Sequence, residues 1–360
     1  MTKQSKSVLF SIFGGVIFLV VLVWFLISVG AIELSPSKLV GDYPKKILAY
    51  NADNETRSSI YFLDNDGSVI SKYVLKSGMP NLDYQLTSNK AYYYDSSTKK
   101  VNWVSESNKT DSLKDIQIGG SIFDFKTNPD GDKILWSDSS ISEDQKVTSS
   151  LYVSALDGKN KKKVLSRDFD SLKCIKIISY YNDDSIFYSE NTCSSDSSTV
   201  SDEVSGNIYR VNLGSGSVLD VFNSERGKLL DIAKNGKYLI YKSNDGNDND
   251  LSIMNIFDKS IKKVKINDGF IVDSALFSIN SKNIAVSVSK DNSGNIIPSI
   301  YISDLNGKMA KLIDDYSLRS WFSDTEIFAS KNKGSGFYRI NIINNKTNRF
   351  SDYQFVTSVW

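Results

Sequence analysis

Residues 149 to 165 read SSLYVSALDGKNKKKVL, and near copies stand at Ser58 (SSIYFLDNDGSVISKYVL) and at Pro298 (PSIYISDLNGKMAKLI). Leu151, Val153 and Ala155 alternate with Tyr152 and Ser154, the period-two pattern of a strand. Asp157-Gly158 follows, a strong hairpin signal because Gly accepts positive φ, and Val164-Leu165 begins the return strand. The phrase is therefore two antiparallel strands, and its repetition suggests one supersecondary unit used several times.

The first strand of this unit recurs as Ser59–Phe62, Val101–Val104, Leu151–Val153, Asn207–Arg210, Leu251–Met254, Ser299–Ile302 and Gly336–Arg339. The spacing of roughly 37 to 57 residues is in the range of propeller blades of four strands each. Every copy is preceded by another strand: Lys46–Tyr50, Ala91–Tyr94, Lys133–Trp136, Ser185–Tyr188, Tyr238–Tyr241, Asn283–Val286 and Glu326–Ala329. A further strand precedes that one, as in Ile122–Phe125, Ile175–Ile178 and Val272–Phe277. The pattern predicts an all-β, seven-bladed β-propeller over residues 44–360. Phe355–Trp360 is a spare apolar strand, expected to close the ring by becoming the inner strand of the first blade.

Asn128-Pro129-Asp130-Gly131-Asp132-Lys133-Ile134-Leu135-Trp136, followed by LYVSALDGKNKKKVL, resembles the TolB-type, WD-repeat-like propeller repeat. Weaker echoes are Asn235–Ile240 and Ile279–Ile284, so the likeness extends over most of residues 44 to 360 at low similarity. The resemblance implies a propeller fold, and TolB proteins are periplasmic adaptors in envelope complexes with an additional N-terminal α/β domain. The same repeat decorates prolyl peptidases, whose hydrolase domain follows the propeller.

Residues 1–32 stand apart, because Val8–Ile32 carries no charge and follows Lys3 and Lys6. A run of that length can cross a bilayer as a helix, and the lysines place its N-terminus in the cytoplasm. The expected organisation is a tail (1–7), one transmembrane signal anchor (8–32), a linker (33–43) and an extracytoplasmic propeller (44–360), a single-pass membrane protein.

With 43 Lys+Arg against 42 Asp+Glu, the charge is balanced and nothing marks a nucleic-acid surface. The sequence contains no histidine, which removes Ser-His-Asp, Cys-His and His-zinc chemistry. Cys174 and Cys193 are the only cysteines, too few for a disulfide framework, and are expected to pair with each other. Lys161-Lys162-Lys163 and Lys262-Lys263 fall on expected outermost strands, where lysine discourages edge-to-edge pairing. Asp245–Asp250 and Asp64–Gly67 offer oxygen ligands of the kind calcium takes, without an EF-hand spacing, so no cofactor is assigned.

Connections from second to third strands read as long and polar: Ser137–Ser149, Glu190–Gly206, Lys242–Asp250 and Ser289–Pro298. They hold Asp138, Glu143, Asp144, Glu190, Asp196, Asp202, Glu203, Asp245, Asp248 and Asp250, which predicts an acidic binding face on one side of the repeats. The function expected from the sequence is a membrane-anchored, non-catalytic module of the cell envelope that binds a protein or glycan. The alternative is a carboxylate-based glycoside hydrolase or lyase in the central channel, since paired carboxylates act as acid and base without histidine.

Overall fold

The computed structural model describes residues 46–359 except 55–56, 76–84, 88–89, 96–97, 108, 114–115, 117–121, 129, 194–203, 205, 245–249, 267–268, 293–294, 335 and 352–354. The described strands form seven four-stranded antiparallel sheets. The first sheet consists of Phe355–Val359, Lys46–Asn54, Arg57–Leu63 and Val69–Leu75, and the second of Gln85–Thr87, Lys90–Asp95, Lys100–Ser105 and Thr110–Ser112. The third runs through Ile122–Thr127, Lys133–Ile141, Val147–Ala155 and Lys162–Phe169, and the fourth through Lys173–Asn182, Ser185–Thr192, Ile208–Asn212 and Val218–Phe222. The fifth contains Gly227–Ile232, Tyr238–Ser243, Leu251–Asn255 and Ile261–Val264. The sixth contains Phe270–Phe277, Asn283–Asn292, Asn295–Asp304 and Met309–Asp314, and the seventh Tyr316–Trp321, Glu326–Lys331, Phe337–Asn341 and Thr347–Ser351.

This is the strand order of a β-propeller, in which the first strand of each sheet borders the central channel and the fourth is the outer edge. Phe355–Val359 pairs with Lys46–Tyr50, so the first sheet is built from both ends of the chain. The hairpin turn read at Asp157-Gly158 has Gly158 at φ 81°, its N–H donating to the Ala155 carbonyl oxygen at 2.9 Å. Successive sheets bury their facing sides against each other. Leu135, Leu151, Val164 and Leu165 of the third sheet pack with Ile175, Ile177, Ile186 and Tyr188 of the fourth. Each such aliphatic side chain contributes about 1.5–3 kcal/mol by leaving water.

Polar ties reinforce these contacts. Lys162 of the third sheet's outer strand donates to the Leu213 carbonyl oxygen at 3.0 Å and also to that of Gly214, in a turn of the fourth sheet. Lys262 of the fifth sheet's outer strand likewise donates to Asn306 Oδ1, in a turn of the sixth, at 2.9 Å. Both lysines therefore lie on outer strands and cap the next sheet's turn. Cys174 and Cys193 form a disulfide with a Cα separation of 5.7 Å, joining the start of the fourth sheet's inner strand to the residue after Ser185–Thr192.

Two of the expected polar loops are strand. Ser137–Ile141 continues the second strand of the third sheet and Val147–Ser149 begins its third. The serines substitute for apolar packing: Ser139 and Ser149, both fully buried, share a hydrogen bond of 2.6 Å, and Ser149 Oγ accepts from the Ile175 N–H at 3.0 Å. In the sixth sheet most of Ser289–Pro298 lies in the strands Asn283–Asn292 and Asn295–Asp304.

The anchor is also corrected. No helix among the described residues is long and apolar enough to cross a membrane. The span expected at 8–32 lies outside the described residues. The fold described is that of the sheets alone. The transmembrane helix, the membrane as a partner and the single-pass topology with an extracytoplasmic propeller are withdrawn.

Candidate functional site

The inner strands carry a recurring irregularity. In the fourth sheet Ile177 and Ser179 face consecutive partners, Tyr188 and Phe187, leaving Ile178 unpaired. Leu230 is left out in the same way in the fifth sheet, Asp273 in the sixth and Arg319 in the seventh. A β-bulge re-aims the extra residue away from the ladder. Ile178 and Leu230 pack against the apolar clusters between sheets, whereas Asp273 and Arg319 bond to Ser289 and Ser330 of the second strands. Ile178, Leu230 and Arg319 sit at one register, between the partners third and fourth along the second strand, while Asp273 lies two pairs further along.

Asp231 follows the Leu230 bulge. Its Oδ2 accepts the Phe277 N–H of the sixth sheet at 2.8 Å, and its Oδ1 accepts the Ile232 N–H at 2.8 Å. Those two bonds favour the carboxylate, but burial outweighs them and pushes its pKa up to about 7. Lys234, in the turn that follows, interacts electrostatically with Asp231, and burial lowers its pKa. Asp124, on the third sheet's inner strand, is buried and its Oδ2 accepts the Ile177 N–H at 2.7 Å. Asp273 accepts from Ser289 Oγ at 2.9 Å, and burial raises its pKa against the opposing effect of that bond and of Lys242.

A carboxylate that titrates near neutrality beside a cation, on the inner strand, can take up and return a proton at physiological pH. A two-carboxylate glycosidase needs its pair within roughly 10 Å. Asp231 binds Phe277, four residues along the strand from Asp273, a distance of roughly 13 Å at the rise of a strand. Asp273 moreover turns toward Ser289, whose backbone partner is Ile271, away from Phe277. The arrangement suits proton transfer by one carboxylate better than the paired chemistry of a hydrolase.

The residues expected to form an acidic face are scattered among local partners. Asp138 lies within the strand Lys133–Ile141, and Glu143 and Asp144 lie in the turn after it, Asp144 pairing with Lys146 at 3.4 Å. Glu190 sits near Arg167 at 3.8 Å and accepts from Tyr209 Oη at 3.5 Å, while Asp250 pairs with Lys263 at 3.6 Å. Asp196, Asp202, Glu203, Asp245 and Asp248 lie outside the described residues. Asp231, Lys234, Asp273 and Arg319 were not singled out from the sequence. The available signal was a charge inside an apolar inner strand: Asp231 in LLDIA and Asp124 in IFDF.

Of the two oxygen-rich segments, Asp64–Gly67 closes a turn through Gly67 N–H to the Asp64 carbonyl oxygen at 2.9 Å, and 245–249 lies outside the described residues. Among the described residues no group of three His, Cys, Asp or Glu side chains is arranged to hold a metal ion.

No family model and no curated protein matches the chain. Solved structures do. TolB from Acinetobacter baumannii matches at 17% identity over 75% of this chain and 63% of that one, with a TM-score of 0.45. The Pyrococcus horikoshii acylaminoacyl peptidase matches at 11% identity over 86% of this chain and 50% of its own, with a TM-score of 0.57. An oligogalacturonate lyase in complex with manganese matches at 11% identity over 87% of this chain and 91% of its own, with a TM-score of 0.56. The chain thus spans about half the length of the peptidase and most of the lyase. These likenesses show the fold alone, a β-propeller, and do not extend to membership of the TolB-type repeat family. They also correct the expectation of a membrane-anchored scaffold that is not an enzyme: a peptidase and a lyase share this fold, and no described helix could serve as the anchor.

Proposed function

We propose that the protein is a carboxylate-based lyase acting on an acidic oligosaccharide in the central channel, with Asp231 as the proton-transferring group. The observation that carries this reading is Asp231, an inner-strand carboxyl that accepts the Phe277 and Ile232 N–H groups, has a pKa of about 7 and interacts electrostatically with Lys234 in the following turn. In β-elimination from a uronate, the base removes the proton on the carbon next to the carboxylate. The C–O bond to the leaving sugar then breaks as the double bond forms, and the same proton returns to the leaving oxygen. One carboxylate suffices for this, provided a cation stabilises the charge that develops on the substrate carboxylate. Asp231 supplies the base and Lys234 the cation. The oligogalacturonate lyase among the matched structures supports the substrate class, since this chain spans 91% of it.

The test is incubation of the purified chain with galacturonate oligomers, following the ultraviolet absorbance of the unsaturated product. Activity is expected to rise with pH through about 7, as the Asp231 carboxylate forms, and to disappear in Asp231→Asn. Absence of product, or unchanged activity in a folded Asp231→Asn protein, refutes the reading.

A further inference from the structure

We infer that the fourth sheet carries a second binding site, a pocket for a carboxylate attached to an aliphatic body. It lies at the end of the sheet where the strand Ile208–Asn212 turns into Val218–Phe222, and Ser185, Arg210, Asn212, Ser217, Val218 and Leu219 line it. Strand register explains the grouping: Ser185 faces Asn212, Arg210 faces Leu219 and Val211 faces Val218. The cavity of about 360 Å³ is within the range of small-ligand sites. Neither Asp231 nor Lys234 lines it, so the inference is independent of the lyase reading.

The side chains of the pocket supply hydrogen-bond donors and no acid. The Arg210 guanidinium lies over the Tyr181 ring, 5.0 Å from its centroid, and has no hydrogen bond or ion pair among the described residues. Arg167 and Arg339, by contrast, face Glu190 and Glu326. Stacking on a ring occupies one face of a guanidinium and leaves the N–H groups along its edge for a bidentate pair with a carboxylate. Asn212 Oδ1 accepts from the Ser215 N–H at 2.8 Å and from Ser215 Oγ at 3.1 Å, which leaves the Asn212 amide NH2 as a donor. Ser185 is only 8% exposed, and its hydroxyl has no protein partner among the described residues, although buried polar groups are normally satisfied. Val218 and Leu219, 37% and 51% exposed, take no part in the cores on either side of the sheet and present an aliphatic wall beside these donors. A ligand with its carboxylate on Arg210 and its aliphatic part on Val218 and Leu219 fits both halves. A free branched-chain acid and the C-terminal residue of a peptide share this chemistry.

The test uses saturation-transfer NMR on the full-length protein, with isovalerate, N-acetyl-leucine and N-acetyl-leucinamide as probes. N-acetyl-leucine is expected to bind about tenfold tighter than its amide, the range of a charge-assisted pair. Arg210→Gln should abolish that preference and Arg210→Lys should retain only part of it. Leu219→Glu, which puts a like charge on an exposed wall, should lose acid binding with an unchanged thermal midpoint. Isovalerate bound as tightly as N-acetyl-leucine supports the pocket and identifies a free acid as its ligand. Tighter binding of N-acetyl-leucine supports it and identifies a chain terminus. Binding of neither acid, equal binding of acid and amide, or a preference that survives Arg210→Gln overturns the proposal.

Discussion

Asp231→Asn should make the protein more stable above neutrality, and its stability relative to the wild type should grow with pH. The Asp231 carboxyl has a pKa of about 7 in the folded protein against a reference of 3.8. The folded state therefore holds the proton more tightly than the unfolded chain, so stability falls as pH rises from about 4 to about 7 and stays low above that. Integrating between those two values gives a cost of about 1.5 kcal/mol at pH 5 and about 4 kcal/mol at pH 8. The amide cannot ionise and escapes this cost. It has one acceptor oxygen for two N–H groups, those of Phe277 and Ile232, so one bond is lost, at about 1–3 kcal/mol. That loss is the same at both pH values and cancels in their comparison. Urea unfolding of both proteins at pH 5 and pH 8 should show the substituted protein gaining about 2 to 3 kcal/mol on the wild type between the two. A stability difference independent of pH would refute the argument. An acid kept ionised at such a cost is consistent with a catalytic role, because active sites commonly trade stability for function.

Replacing Cys174 and Cys193 together by Ser should lower stability by about 3 kcal/mol, from the chain entropy of a loop spanning 19 residues, measured by denaturant unfolding. Gly236→Ala should destabilise by about 2 kcal/mol or more, because Gly236 has φ +64° and a Cβ there would run into the Tyr181 ring; an unchanged thermal midpoint would contradict this. Deleting Phe355–Trp360 removes the strand paired with Lys46–Tyr50, and hydrogen exchange should then show protection lost first across the first sheet.

The sequence was most legible where a strand has one dry face and a tight turn. Leu151, Val153 and Ala155 alternate and Asp157-Gly158 accepts the turn, so the hairpin could be read directly. It was least legible where polar residues are satisfied by one another. Ser137–Ser149 reads as a loop because only Ile141 and Val147 in it are apolar, yet Ser139 and Ser149 bond across the strands and lie fully buried. The carboxylates of the expected acidic face were visible as residues, but their neighbours were not: Lys263 reaches Asp250 from the adjacent outer strand and Arg167 reaches Glu190 from the preceding sheet.

By itself, the sequence determined the repeat, the pairing of consecutive strands within it and the absence of histidine chemistry, because these depend on residue type and spacing along the chain. Only the tertiary structure decided the candidate site. Which residue of an inner strand is squeezed out of the ladder depends on the register of its neighbour, and this is what leaves Arg319 and Asp273 outside it, bonded to Ser330 and Ser289. Whether Asp231 titrates near neutrality depends on how much protein from the next sheet surrounds it, since desolvation, unlike charge, is a property of the assembled ring.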